Sequence, residues 1–150
     1  MQSKLDLTGA VVAHVIVIST IVMFISRIFF GAGAGHWFGI PILLMFFPLV
    51  YLLIRAPQLN RPSIYYRQIG LMIAWLIVIF IFDYILHTDF RNTLWMVVVY
   101  YSLYLMGMQG IMGIASLAGS AWALSSFFLF LISLILAFIQ HQVTGLIVLL

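Results

Sequence analysis

The 150 residues are 66% hydrophobic and only 6% charged, with a mean hydropathy of +1.27. A soluble domain carries about 25% charged residues, so a water-facing shell is excluded and a single membrane-embedded domain over residues 1–150 is expected. The net charge of +3 comes from six scattered Lys and Arg residues against three Asp and no Glu, which is no nucleic-acid surface, and the absence of cysteine excludes disulfides and thiolate metal sites.

Five apolar runs predict an all-α, polytopic integral membrane bundle of five transmembrane helices, because about 20 apolar residues cross the hydrocarbon as a helix. Strands of a membrane barrel would alternate apolar and polar residues, and these runs are apolar all round. The first span is expected at about 7–30. It carries His14 in its first half and Arg27 near its far end. Lys4, the apolar run and Ala32-Gly33-Ala34 outline a signal peptide, but the run is longer than a signal core of 7–15 residues and Arg27 interrupts it, so a retained span is expected. His14 reads as a hydrogen-bonded packing residue. It has no histidine partner at its own depth, which argues against a di-haem pair.

Gly31-Ala32-Gly33-Ala34-Gly35 is expected to break the chain before a second span at about 37–54, with His36 and Trp37 at its start. Pro41 falls where the first turn tolerates it. Pro48 is mid-span and should kink the helix, either as packing or as the lining of a cavity. Pro57 and Pro62 mark the next loop, and the third span is expected at about 69–86, ended by His87-Thr88-Asp89. Asp83 and His87 are four residues apart, one face of an α-helix.

The fourth span, at about 94–117, enters with Tyr100, Tyr101 and Tyr104 and continues through Gly107, Gly110, Gly113, Ser116 and Gly119. Small residues allow close helix approach, and the expectation is tight packing against the fifth span across the Ala118-Gly119-Ser120 turn. Gln109 lies among them, beside Met106, Met108 and Met112, and its amide should find a partner across a helix interface. The fifth span, at about 121–139, repeats Ser126, Ser133 and Gln140 at seven-residue intervals, a small-polar stripe suited to helix contact within the bundle or between protomers.

Lys4, Arg55, Arg61 and Arg67 fall on one side of this threading, and Arg27 and Arg91 on the other. The positive-inside rule then places the N-terminus in the cytoplasm and the C-terminus outside, in a cell inner or plasma membrane. Trp37, Trp95 and Trp122 stand at span ends as interfacial anchors; Trp75 is deeper and reads as packing.

Ionisable residues within a bilayer are costly and normally face an interior or a cavity. Arg27, His36, Asp83, His87, Tyr100, Tyr101, Tyr104 and His141 collect in the outer half of the bundle, near Asp89 and Arg91 of the adjoining loop. Three readings stand for them: an Arg27–Asp83 ion pair fastening two helices, a pocket for a ligand or a proton at Asp83 and His87, and metal or haem ligation by His36, His87 and His141. No internal repeat supports an inverted-repeat transporter.

A non-catalytic membrane component, as a subunit or homo-oligomer, is the first functional expectation. A lipid- or solute-binding or transport bundle with an outward-facing polar pocket is the second. A membrane enzyme or subunit holding haem, quinone or metal is the third, and no cofactor is assigned. In length and span number the chain resembles small five-helix membrane proteins such as the tryptophan-rich sensory proteins; no motif is shared, and no residue takes a role from the resemblance.

Overall fold

The computed structural model describes residues 4–86 and 94–144, and within them the backbone alone at 32–35, 94, 141 and 144. All its regular structure is helical: α1 (Lys4–Phe30), α2 (Ala32–Leu44), α3 (Phe46–Arg55), a 3₁₀ turn (Ala56–Leu59), α4 (Ser63–Ile79), a π-helical turn (Phe80–Ile85) that continues it, α5 (Leu94–Ser116) and α6 (Ser120–Thr144). Taken with their extensions, these make five helices long and apolar enough to cross a membrane. Helices suit such a sequence because each backbone N–H and C=O is satisfied within its own segment.

The chain turns at few residues. Gly31 alone breaks the first two helices, at φ 83°, a backbone state that a Cβ disfavours. Helix resumes at Ala32, so Gly33 and Gly35 are helical rather than part of a loop. Pro41 consequently lies inside α2 instead of in a first turn. Pro48 has the expected effect: it lacks the N–H that would bond to Leu44, and its ring presses on that carbonyl. The helix breaks at Met45, whose N–H turns back to the Ile42 carbonyl at 3.1 Å. The third helix starts at Ser63, directly after Pro62, about six residues before the apolar run that announces it.

The helix α1 runs through the middle of the bundle, packed on α2, α5 and α6, while α4 packs chiefly on α5 and also on α3. In the most apolar stretch of each span, 44% of α1 is buried against 17% of α6, which makes α1 the centre and α6 the periphery. Ile16, Val17, Ile69, Met72, Trp75 and Met108 are among the fully enclosed side chains.

The glycines of α5 face α4, not α6 as their nearness to the α5–α6 turn suggests. A Cβ at Gly110 would stand 3.0 Å from the backbone of Gln68, and one at Gly107 3.3 Å from Cα of Met72. The three-residue spacing drifts around the helix, and the drift follows the crossing with α4. By contrast, Ser126, Ser133 and Gln140 of α6 are all buried within the bundle.

Candidate functional site

One end of the bundle gathers ionisable groups from three helices, and the π-helical turn is what arranges them. A π turn closes i→i+5 hydrogen bonds and interrupts α-helical register; here Leu86 N–H reaches Ile81 C=O at 2.8 Å. The turn brings Tyr84 across to α2. Its hydroxyl donates to the His36 carbonyl at 2.6 Å. Its ring centroid lies 4.3 Å from the His36 imidazole and 6.4 Å from Phe80, on which it stacks. Gly39 makes this approach possible, because a methyl there would collide with the Tyr84 hydroxyl.

Arg27 and Asp83 both lie within electrostatic reach of Tyr84, and both are half-buried. They do not pair with each other: among the described residues, the ion pair is Asp6–Arg61. The expectation of an Arg27–Asp83 bridge rested on their similar depth and on the cost of a lone charge in lipid, and similar depth alone does not bring the two side chains together. The Arg27 Nε is buried with no hydrogen-bond partner among the described residues. Neither Arg27 nor Asp83 has an ion-pair partner among the described residues. His87, Asp89 and Arg91 lie outside the described residues, as does the His141 side chain. Among the described residues, no three His, Asp or Glu side chains converge as a metal would require.

Below this cluster an apolar groove of about 360 Å³ opens between the broken α2–α3 helix and α4, within the size range of small-molecule pockets. Its lining includes Ile40, Leu44, Phe46, Phe47, Leu76 and Phe80. The break at Met45 shapes it, since Leu44 and Phe46 stand on either side. Phe80 joins the groove to the cluster by stacking on Tyr84. The Pro48 break therefore lines a cavity, the alternative to simple packing.

The tyrosines of α5 form a separate group, of which Tyr104 is buried. Tyr104 is 3% exposed, and its hydroxyl lies 3.1 Å from Ser133 Oγ. Ser133 in turn donates to the Phe130 carbonyl at 2.7 Å, so Tyr104 is the donor to Ser133. Trp75 packs against Tyr104 and Tyr100, with centroids 5.3 and 6.3 Å away, and Tyr101 meets Tyr100 edge-on at 5.6 Å. This network ties α4, α5 and α6 together.

At the other end His14 is fully engaged. Its Nδ1 donates to the Ala10 carbonyl at 2.9 Å, and its Nε2 lies 2.8 Å from Ser125 Oγ. Trp122 stands edge-on to the ring at 4.8 Å. Near it, Arg61 joins the turn before α4 to Asp6 of α1 and lies over the Tyr65 ring at 5.5 Å. The sequence reading missed Asp6, Tyr84, Gly39 and Ser125. The clue to Asp6 was available, as the lone acid beside a loop rich in arginine.

Gln109 departs furthest from expectation. It lies on the exposed surface of α5, with no hydrogen-bond partner among the described residues. No family model matches the chain, and neither a curated protein nor a solved structure is similar to it.

Proposed function

We propose that this chain is a non-catalytic integral membrane protein that crosses the bilayer five times, with a cytoplasmic N-terminus, and that it seats one amphiphile in the groove between α2–α3 and α4. An acyl chain would occupy the space between Leu44, Phe47 and Leu76, and its polar head would lie at Arg27, Asp83, Tyr84 and His36. The observation that carries this reading is the continuity, through the Phe80–Tyr84 stack, of an apolar groove with Arg27 and Asp83, which have no ion-pair partner among the described residues. Apolar walls with a few convergent polar groups are the general form of a small-molecule site. Orientation rests on the cation asymmetry, Lys4, Arg55, Arg61 and Arg67 against Arg27 and Arg91.

Chemistry on the ligand has less support, because a catalytic site needs a positioned acid, base or metal. Here the Tyr84 hydroxyl is committed to a backbone carbonyl. A native mass spectrum of protein released from a mild detergent tests the proposal. A single retained amphiphile that disappears in Leu44→Trp, with the fold intact, is the expected result. Equal retention in Leu44→Trp places the amphiphile elsewhere, and a bare wild-type protein contradicts the proposal.

A further inference from the structure

The outer faces of α5 and α6 differ in a way that lipid alone does not explain. The exposed side chains of α6 include Phe127, Phe128, Ile135 and Phe138, all suited to acyl chains. The exposed face of α5 carries Ser102, Gln109 and Ser116. They repeat at seven residues, so they hold one line along the helix. α5 is also the least apolar of the five spans, at a mean hydropathy of 1.4 against 2.1 to 2.4 for the others.

Gln109 stands seven residues from the Ser116 end of α5, about 10 Å into the span. A second amide lies beside this line: the Gln68 side chain from α4 rests on Gly113, where a methyl would collide with its Nε2. Gly113 is one turn from Gln109 on the same face. Neither carboxamide has a hydrogen-bond partner among the described residues. Ser116 differs, since its hydroxyl is spent on the Gly113 carbonyl at 2.6 Å.

We infer that this face of α5 is covered by α5 of a second copy of the chain, in a parallel, two-fold symmetric contact centred on Gln109. A carboxamide both donates and accepts, so two identical ones complete each other across a two-fold axis. Copies inserted in the same sense bring Gln109 to Gln109 at equal depth. A cyclic dimer requires such a self-complementary patch, and amides in membrane helices hydrogen-bond across helices. Ser102 and Ser116 extend the close contact toward both ends, and Gln68 borders it. The inference rests on the reading that α5 crosses the bilayer.

The chain has no cysteine of its own, so single-cysteine variants give an unambiguous test in native membranes. Oxidative cross-linking should yield dimers for Ser102→Cys and Ser116→Cys and none for Ile135→Cys on the outer face of α6. In reconstituted vesicles, energy transfer between labelled copies should show Gln109→Leu dimerising roughly three- to tenfold more weakly, with its thermal unfolding unchanged. Efficient cross-linking at Ile135→Cys, or no cross-linking at either serine, overturns the inference. So does undiminished dimerisation of Gln109→Leu, and so does recovery of the Ser102→Cys variant cross-linked only to a different polypeptide. Carbonate extraction of the same membranes separates these failures from failure of the membrane reading, because a chain that does not span the bilayer is released.

Discussion

At one end of the bundle Asp6 of α1 and Arg61 before α4 form an ion pair; at the other, Arg27 of α1 and Asp83 beyond α4 do not. Both ends draw an acid and a base from the same two regions of the chain. The paired end is fastened further by the Arg61–Tyr65 contact and by His14 between Ala10 and Ser125. The unpaired end is separated by a π turn and adjoins the groove. Ionisable groups within a membrane are expensive and tend to mark function, so on the proposed reading the first end is a clasp and the second a site.

Breaking the clasp should have the largest effect on stability. Arg61→Met removes the guanidinium that pairs with Asp6, itself only 13% exposed, at a cost of about 3 kcal/mol, visible as a lower thermal midpoint in detergent. Asp83→Asn should cost much less, under about 1 kcal/mol, because no ion pair among the described residues is lost, while weakening retention of a bound amphiphile. Equal destabilisation by the two variants would erase the contrast between the ends.

Gly110→Ala tests the packing that holds α4, and with it the π turn, in place. The methyl meets Gln68 backbone at 3.0 Å, and overpacking of this kind costs about 1–3 kcal/mol. If its midpoint matches wild type, the α4–α5 crossing is looser than described. Tyr84→Phe is a small change, removing one hydrogen bond worth roughly 0.5–1.5 kcal/mol. Its thermal midpoint should fall only by that amount, and its larger effect should be on ligand retention.

The five long apolar helices were legible because hydropathy and helix length are linked by one physical requirement, the thickness of the hydrocarbon. Pro48 was legible for the same kind of reason, since its missing donor acts locally. The start of α4 was not, because Arg67 and Gln68 look like loop residues and yet sit on the first turns of a helix that runs beyond the apolar run. The site was half legible. Arg27, Asp83 and His36 stood out as ionisable, but the arrangement around Tyr84 depends on a π turn that no spacing rule reveals. Gln109 was expected to be buried because a membrane amide wants a partner. It is exposed instead, and the proposed dimer would supply the partner from a second copy.

Photochemical labelling tests the central claim, that the groove beside the unpaired end holds an acyl chain, most directly. A phospholipid with a diazirine in its acyl chain would be incorporated with the protein into vesicles, and the labelled peptides mapped. Label concentrated at residues 40–47 and 76–80, and depleted in Leu44→Trp, is the predicted result. Label spread evenly over the exposed faces of all helices, including Phe128 and Phe138 of α6, would contradict it.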